Sequence, residues 1–593
     1  MTPPQGLDLS PIGNCAVSAL IDAEARFVWG CVPRVDGDPA FAALLGSDTH
    51  GQWAIDVDGR ASTEQAYLRN TAVLRTVVTD AAGASLEILD FCPRFERFGR
   101  MYRPVAFARI VRPLSGAPRI AMTLDIAAGW GNGSAPVTMG SNHLRYLAPA
   151  GTLRLTTDAP IGYVASGRSF RLERPLHFYL GPDEQFDRYL NVALPEMLAE
   201  TVTEWRQWVR GLAIPYEWQD AVIRAAIGLK LCCHEASGAI VAALTTSIPE
   251  APGSGRTWDY RYCWLRDAYY TVQALNRLGA LDVLENYLGY LRNVVTRADG
   301  GHIKPLYGVE LEEDLPERLV PDLPGYRGEG PVRVGNQAHE HLQNDVYGQV
   351  VLSNIQAFLD RRLFRPADAA DFAALERVGD RAFALHDAPD AGLWELRTRE
   401  RVHTYSSAMC WAACDRLAIA ADALALPDRA AFWRDRAAIV RARIESEAWS
   451  PKGHFAASFG GDELDASLLQ LLDLGFMAPD DPRFLATLDA VEAALRRGSH
   501  MLRYDEADDF GAPETAFNFC TFWLIEALAL VGRRDEARAL FEEMLALRSR
   551  AGLLSEDTDM ASGEAWGNYP QTYSLVGIIN CANLLSTPWR LAR

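Results

Sequence analysis

The stretch PEMLAETVTEWRQWVRGL, residues 195–212, separates two parts of the sequence that differ in pattern. Its apolar residues recur at helical spacing, which predicts a connecting helix. Before it, short apolar runs such as FVWGCVPRVDGDPAF (27–41) are broken by Gly, Pro and Asp. This period-two pattern is typical of an antiparallel β-sandwich. We therefore predict an N-terminal β-sandwich domain at 1–194, a helical linker at 195–215 and a helical domain at 216–593.

The sequence after residue 215 has helical periodicity and predicts about twelve helices. The connections after odd-numbered helices are long, and those after even-numbered helices are mostly short. This alternation predicts a toroid of six helical hairpins whose long loops all open at one end. A helical solenoid would have the same hairpins together with a sequence repeat, which we do not observe. The predicted helices lie near 217–236, 267–278, 280–296, 337–362, 366–386, 403–423, 427–446, 463–472, 482–495, 515–531, 533–549 and 570–586.

The composition of the 593 residues is that of a water-soluble globular protein, with 49% hydrophobic residues and a net charge of −19. The negative charge disfavours nucleic acid and anionic membrane surfaces as partners. The N-terminus lacks the pattern of a secretory signal, and no apolar run of about eighteen residues occurs, so we expect a cytoplasmic protein. The ten cysteines are scattered in apolar surroundings. We therefore expect neither a metal site nor another cofactor.

The predicted long loops hold an unusual mixture of aromatic and charged residues. The first contains TWDYRYCWLRDAYYT (257–271), and another contains GYRGEGPVRVGNQAHEHLQND (325–345). Aromatic faces stack on sugar rings, and Arg and Asp side chains bind sugar hydroxyls. Hydrolysis of a glycosidic bond needs two carboxyl groups, and Glu395 and Glu556 lie in different loops. The loops thus indicate a small-molecule carbohydrate substrate, although composition alone leaves Glu395 equally open to a role as a surface acid.

Four motifs, taken in order, resemble glycoside hydrolase family 15, which holds glucoamylases, glucodextranases and prokaryotic trehalases. The N-terminal stretch at 10–41 also resembles the β-sandwich of the bacterial members. The resemblance implies an (α/α)6 barrel that hydrolyses α-glucosides from the non-reducing end with inversion. The motifs are WDYRYCWLRDAYY (258–270), GLWELRTRERVHTYSSAMCW (392–411), RYDEADDF with AFNFCTFWLIEALAL (503–530) and GLLSEDTDMASGEAWGNYPQTYS (552–574).

The resemblance also implies roles for individual residues. Glu395 in LWE matches the general acid of the family, and Glu556 in LLSED matches its general base. Arg266 and Asp267 in WLRD match the pair that binds the terminal glucose. Trp566 is a candidate for the pocket, although it and the nearby Glu564 could equally shape their loop. The further sugar-binding candidates are Tyr260, Trp264, Trp394 and Arg503.

These roles carry physical expectations. An aromatic, partly dry pocket should raise the pKa of Glu395 so that it is protonated. Glu556 should be ionised and should take a proton from water on the opposite face of the sugar. An inverting pair needs roughly 6.5–9.5 Å between its carboxyl groups to hold that water. Arg266 and Asp267 should offset each other's burial as an ion pair.

The second-sugar site departs from the fungal pattern. Leu396 stands where fungal glucoamylases have an acid that binds the next sugar, and 325–345 lacks their tryptophan. The predicted function is a glucoamylase-like release of glucose from α-glucosides, with α,α-trehalase as the alternative. A phosphorylase would need an anion pocket where the acidic SEDTD (555–559) lies. A non-catalytic sugar-binding protein should lack one of the two carboxylates, but Glu395 and Glu556 are both present. The phosphorylase and the sugar-binding protein are therefore the less favoured alternatives.

The remaining charged motifs have structural interpretations. DEAD (505–508) occurs without a phosphate-binding loop, which excludes a helicase and leaves an acidic loop beside Arg503. HEH (339–341) lacks the spacing of a zinc site and predicts a polar cluster at a helix start. Asp259 and Arg261 are expected to form a local ion pair. Three acids are assigned to helix ends rather than to the site: Glu340, Asp345 and Asp465.

Overall fold

The computed structural model describes residues 7–47 and 49–591. The N-terminal part is built from antiparallel strands, as the period-two pattern predicts. In chain order the strands are β1 (Ser10–Gly13), β2 (Ser18–Ile21), β3 (Phe27–Val32), β4 (Asp38–Phe41), β5 (Gln52–Val57), β6 (Arg60–Tyr67), β7 (Leu74–Asp80), β8 (Ser85–Phe91), β9 (Phe95–Arg97), β10 (Arg100–Tyr102), β11 (Phe107–Ser115), β12 (Arg119–Asp125), β13 (Val137–Met139), β14 (His143–Ala148), β15 (Gly151–Thr157), β16 (Phe170–Arg171) and β17 (Leu176–Pro182).

The strands form two main sheets that pack face to face. One sheet has the order β1-β2-β3-β5-β12-β16, with β4 paired to β3, and the other has the order β13-β14-β15-β17-β11-β8-β7-β6. Their inner faces share one buried apolar core that includes Phe27, Trp53 and Phe107. The rings of Phe27 and Phe107 meet edge to face across the sheets at 5.9 Å. This arrangement confirms the predicted sandwich.

Two helices accompany the sandwich, α1 (Ile161–Ser166) and α2 (Leu190–Arg210). Helix α2 begins five residues before the predicted start at 195, because Leu190 and Leu194 pack on the outer face of the second sheet. Its C-terminal half turns to the helical domain, where Trp205 packs near Leu231. The predicted linker therefore packs against both parts of the chain, and 1–194, 195–215 and 216–593 remain proposed domain limits.

The C-terminal part is helical. Its helices are α3 (Gln219–Leu231), α4 (Leu265–Arg277), α5 (Leu281–Ala298), α6 (Asp345–Leu359), α7 (Ala369–Leu385), α8 (Thr404–Ala423), α9 (Pro427–Glu447), α10 (Gln470–Asp473), α11 (Pro482–Leu495), α12 (Asn518–Leu530), α13 (Arg534–Ala546) and α14 (Thr572–Leu585). Its loops contain short strands: β18 (Cys233–His234), β19 (Ala239–Ile240), β20 (Cys263–Trp264), β21 (Leu306–Tyr307), β22 (Arg318–Leu319), β23 (Arg333–Val334), β24 (Arg496–Arg497), β25 (His500–Met501), β26 (Ala516–Phe517), β27 (Asp557–Thr558) and β28 (Ala565–Trp566).

Six of these helices close an inner ring. Helices α4, α6, α8, α10, α12 and α14 each contact the next, and α14 contacts α4. The other six pack outside the ring: five of them contact an inner helix, and α11 packs against the turn Ala466–Leu469 that leads into α10. Inner helices such as α8 and α12 are buried along almost their whole length. This explains why their sequences contain few charged residues, whereas outer helices such as α9 contain many.

The predicted helices agree with this ring in number and order. The fourth was predicted to begin at 337, but α6 begins at Asp345 because a short 3-10 helix, Gln337–Glu340, and a loop precede it. The eighth is a 3-10 turn, Ala466–Leu469, that continues into α10. The long loops all precede inner helices, so they meet at one end, as predicted. Within the described residues, no helix is long and apolar enough to cross a membrane.

Candidate active site

A cavity lies at the N-terminal ends of the inner helices. It is open to solvent at its mouth, and together with this open space it measures about 920 Å³. Side chains from the long loops line it, together with residues at the starts of α4 and α14. Eight of the nine predicted site residues are among them: Tyr260, Trp264, Arg266, Asp267, Trp394, Glu395, Arg503 and Glu556.

Glu395 has an unusual backbone conformation. It lies in a tight turn in which its N–H donates to the carbonyl of Gly392 at 3.1 Å. Its φ is 58°, in the left-handed region. For a residue with a Cβ this conformation costs about 1–2 kcal/mol. Such strain at a loop residue that faces a cavity is typical of functional sites.

The carboxylate of Glu395 is fixed through one of its oxygens. Oε1 accepts hydrogen bonds from Trp264 Nε1 at 2.7 Å, from Arg266 Nη2 at 3.0 Å and from Gln343 Nε2 at 3.2 Å. Within the described part of the chain, no side chain or backbone group donates to Oε2. Since Oε1 is occupied as an acceptor, Oε2 is the oxygen that can carry a proton toward the cavity.

Glu556, unlike Glu395, is bound through both of its carboxylate oxygens. Its side chain is almost fully buried, directly before β27. Oε1 accepts a hydrogen bond from the hydroxyl of Tyr260 at 2.6 Å, and Oε2 accepts one from the backbone N–H of Asn568 at 3.1 Å. Burial raises the pKa of Glu556 far above its ordinary value, and the nearby charge of Glu250 raises it further. The same pKa is lowered, to a smaller extent, by the bonds from Tyr260 and Asn568 and by Arg503.

Two aromatic rings connect the two acids. The rings of Tyr260 and Trp264 meet edge to face with centroids 5.4 Å apart. The hydroxyl of one ring bonds to Glu556, and the indole N–H of the other bonds to Glu395. A single short segment of the first long loop therefore positions both carboxylates, although they lie far apart in the sequence.

Arg266 is not paired in the way that the sequence suggested. Its guanidinium contacts Asp345 at 3.1 Å and Glu395 at 3.0 Å, and it also donates to Gln343 at 2.8 Å. Asp345, at the start of α6, thus neutralises the charge of Arg266, a role that we had assigned to Asp267. The helix-end position of Asp345 suggested a dipole role, and its contact with a buried arginine is visible only after folding.

Asp267 is left to face the cavity. Its carboxyl is buried, and burial raises its pKa to about 7, against the lowering effects of Arg266 and of a hydrogen bond with Tyr573. A carboxyl in this position can accept a hydrogen bond from a substrate hydroxyl. Asp267 therefore keeps its predicted place in the site without its predicted ion pair.

Comparisons with known proteins match both parts of the chain. Residues 217–583 match the family described as glycosyl hydrolases family 15, and residues 6–173 match the trehalase-like N-terminal family. The chain belongs to glycosyl hydrolase family 15. It is therefore a glycoside hydrolase, as its motifs indicated.

Relatives within family 15 match along nearly the whole chain. A trehalase from Thermoplasma volcanium is 30% identical, over 96% of this chain and 92% of its own length. A trehalase from Mycolicibacterium smegmatis is also 30% identical, over 97% of this chain and 90% of its own length. A crystal structure of a bacterial glucoamylase complexed with acarbose is similar in fold, with a TM-score of 0.70 and 14% identity over 98% of this chain and 94% of that one.

One predicted site residue of this family 15 enzyme lies outside the cavity. Trp566 is in β28, which pairs with β27, and its ring packs edge to face against Tyr326 at 6.0 Å. The guanidinium of Arg327 lies 5.2 Å from the same ring and pairs with Glu564 at 2.7 Å. Trp566 therefore packs within the loop behind Glu556 and is not among the residues that line the cavity. Sugar binding by Trp566 stays a prediction, and the contacts in the structure match the alternative that Trp566 shapes its loop.

Arg503 and Trp394 line the cavity, and each is held by an acidic partner that the sequence did not indicate. Arg503 Nη2 donates to Glu250 at 2.6 Å. Trp394 Nε1 donates at 2.8 Å to Asp465, which we had assigned to a helix end. Both acids come from other long loops, so no local sequence pattern links them to their partners.

The DEAD and HEH motifs have structural roles. Asp508 forms a two-pronged ion pair with Arg256, which joins two loops at the cavity mouth. His339 lies in the short 3-10 helix, whose start is capped by Asn336, as predicted. His341 follows that helix and lines the cavity, a position that sequence reasoning missed. Among the described residues, no cluster of His, Cys, Asp or Glu could hold a metal ion.

Asp259 and Arg261 form the expected ion pair, at 2.7 Å, and both are completely buried. Arg261 Nη1 also donates to the carbonyl of Gly37 in the β-sandwich at 2.6 Å. The guanidinium lies 4.9 Å from the ring of Trp130. The N-terminal part of the chain therefore supports the loop that carries Tyr260 and Trp264.

Proposed function

We propose that the protein is an α,α-trehalase that hydrolyses trehalose to two glucose molecules. The observation that carries this proposal is the pair Glu395 and Glu556 in one cavity of a chain that is similar along nearly its full length to trehalases. The similarity favours trehalose over the glucoamylase-like activity that we first predicted from the motifs. The likeness to the bacterial glucoamylase concerns the fold alone.

The proposed reaction is a single displacement. Glu395 donates the proton on Oε2 to the glycosidic oxygen, and the bond from C1 to that oxygen breaks. Glu556 takes a proton from a water molecule, whose oxygen attacks C1 from the opposite face. The leaving glucose departs with the donated proton, and the attacked glucose is released with inverted configuration. The raised pKa of Glu556 makes it a strong base once it is ionised.

In this proposal, three residues bind the reacting glucose, and a fourth holds one of them in place. Asp267 accepts hydrogen bonds from its hydroxyls, and Arg266 and Arg503 donate to it. Asp345 keeps Arg266 in place, at 3.1 Å. Leu396 lines the cavity next to Glu395, so the leaving glucose meets an apolar side chain where fungal glucoamylases present an acid.

The open mouth of the cavity favours one second candidate, glucose release from short α-gluco-oligosaccharides. Glucose release from trehalose, maltose, isomaltose and kojibiose separates the two. We expect the highest kcat/KM with trehalose. A preference for maltose or isomaltose would contradict the trehalase proposal and support the second candidate.

The mechanism is tested with Glu395→Gln and Glu556→Gln. Each should lower kcat on trehalose by at least about 10³-fold, because each removes one proton transfer. Circular dichroism should show an unchanged fold. NMR of fresh product should show equal amounts of α-glucose and β-glucose, since the leaving glucose of trehalose keeps its α configuration. Exclusively α-glucose would contradict a single displacement.

A further inference from the structure

A third glutamate, Glu250, lies in the cavity wall. It belongs to the loop between α3 and α4 and is 4% exposed. Its Oε1 accepts a hydrogen bond from Trp258 Nε1 at 2.8 Å, and its Oε2 accepts one from Arg503 Nη2 at 2.6 Å. Its backbone carbonyl accepts a bond from the hydroxyl of Thr515 at 3.0 Å. Glu250 is therefore held firmly and in turn holds two residues that line the cavity.

Glu250 also determines the charge around Glu556. The titratable and charged groups that face Glu556 are Glu250 and Tyr260 from the first long loop, Arg503 from the fifth, and Asp557 from β27. Asp557 is buried, and burial raises its pKa well above the ordinary value, which favours its neutral form. Arg503 thus stands among three carboxyl groups, and Glu250 binds it directly at 2.6 Å. Arg256 Nη1 lies farther from the same Glu250 oxygen, at 3.9 Å, and pairs with Asp508.

This arrangement has a chemical consequence. Arg503 would stabilise the ionised form of Glu556 if its charge were not neutralised by Glu250 at 2.6 Å. The negative charge of Glu250 also disfavours the ionised form of Glu556. Both effects favour the protonated form of Glu556 and thereby increase its affinity for a proton taken from water.

We propose, on the basis of the proposed function, that Glu250 is a positioning residue that holds Arg503 and Trp258 and makes Glu556 a stronger base. This role is separate from binding the sugar. The first long loop would then position Glu395 and Glu556 and, through Glu250, also strengthen Glu556 as a base.

The test is the Glu250→Gln variant. Glu556 acts as a base only when it is ionised, so kcat/KM falls as the pH drops through its pKa. Removal of the charge at Glu250 lowers that pKa, and the acid limb of the kcat/KM profile on trehalose should move down by on the order of one pH unit. On the plateau, kcat should fall about tenfold, because a weaker base accepts the proton of water less readily.

A matched control is available on the outer helices. Glu376 in α7 also accepts one indole N–H, from Trp433 at 2.7 Å, and one guanidinium bond, from Arg429 at 2.7 Å. Glu376→Gln removes the same kinds of contact at a distance from the cavity. It should lower the midpoint of thermal unfolding without moving the acid limb. An unmoved acid limb in Glu250→Gln, or an equal shift in both variants, would overturn the inference.

A second readout does not depend on the substrate. Carbon-13 labelling of glutamate side chains allows the carboxyl of Glu556 to be titrated by NMR, with its signal assigned by its loss in Glu556→Gln. The midpoint should fall in Glu250→Gln and stay constant in Glu376→Gln. If the wild type does not hydrolyse trehalose, the proposed function fails, while this titration still decides whether Glu250 acts on Glu556.

Discussion

Three donors converge on a single oxygen of Glu395, and their geometry leaves the other oxygen free to act as the acid. Trp264 Nε1 makes the shortest of these bonds, at 2.7 Å. The left-handed backbone of Glu395 brings the carboxylate to these donors. At the scale of single residues, the site thus depends on the orientation of a carboxyl group as much as on its presence.

The first prediction concerns this orientation. Trp264→Phe removes the indole donor and keeps an aromatic ring, so the carboxylate of Glu395 should rotate more freely. We expect kcat on trehalose to fall about tenfold, with a smaller change in KM, since a misplaced acid affects the chemical step. Steady-state kinetics of the purified variant measure both constants.

The control for this variant is Trp433→Phe. It removes the equivalent indole donor to Glu376, at 2.7 Å, on the outer helices. It should lower the free energy of unfolding, because Trp433 is completely buried, but keep the wild-type kcat. Equal kcat values in Trp264→Phe and the wild type would contradict the positioning role of the indole.

At the scale of elements, the turn after β28 holds Glu556, the proposed base, in place. Gly567 has a φ of 72°, and a Cβ at this position would lie 2.5 Å from Cβ and 2.6 Å from Oε2 of Glu556. The next residue, Asn568, donates its backbone N–H to Glu556. The close approach of this turn explains why a glycine is needed there.

Gly567→Ala should therefore damage the site more than the fold. The left-handed φ should cost about 1–2 kcal/mol of stability, and the added methyl group must displace Glu556. We expect kcat on trehalose to fall by about 10²-fold, as a small displacement of a reacting group can produce.

Gly563→Ala separates the two effects. Gly563 lies in the same loop with a φ of 74°, and its nearest neighbour, Leu547, is 3.5 Å from the added Cβ. Both variants should lose similar stability in urea denaturation, and Gly563→Ala should keep its activity. A similar loss of activity in both would mean that backbone strain, and not contact with Glu556, is responsible.

At the scale of the whole molecule, the β-sandwich contributes to a site that it does not line. Arg261, next to Tyr260 in the chain, reaches the carbonyl of Gly37, and Trp29 Nε1 donates to the carbonyl of Leu244 at 2.7 Å. Among the described residues, none before 242 lines the cavity. The sandwich thus acts on the site by supporting its first long loop.

Arg261→Met should destabilise the protein strongly. It leaves the buried carboxylate of Asp259 without its partner at 2.7 Å, which should cost about 3–5 kcal/mol of unfolding free energy. Urea denaturation measures this loss. Arg443→Met is the comparison, because Arg443 and Glu447 form an exposed pair at 2.9 Å whose loss should cost less than about 1 kcal/mol. Equal losses would show that the buried pair of Asp259 and Arg261 contributes no more to stability than an exposed pair.

The sequence alone determined the two-part architecture and the position of the site. Period-two and helical patterns depend on which face of each element is buried, and the alternation of loop lengths reflects the antiparallel packing of neighbouring helices. The motifs also predicted Glu395 and Glu556 as the catalytic acids, because these residues occur in long loops with family-specific neighbours. Local patterns of this kind are encoded over a few residues and are therefore readable before folding.

The tertiary structure decided which groups act together. It paired Arg266 with Asp345, brought Glu250 to Arg503 and turned Trp566 away from the cavity. It also buried Glu556, and this burial raises the pKa of a carboxyl that we had expected to be ionised. Contacts between residues from different loops, and the desolvation of a side chain, depend on how the barrel closes. No spacing along the chain encodes them, so only the folded protein determines them.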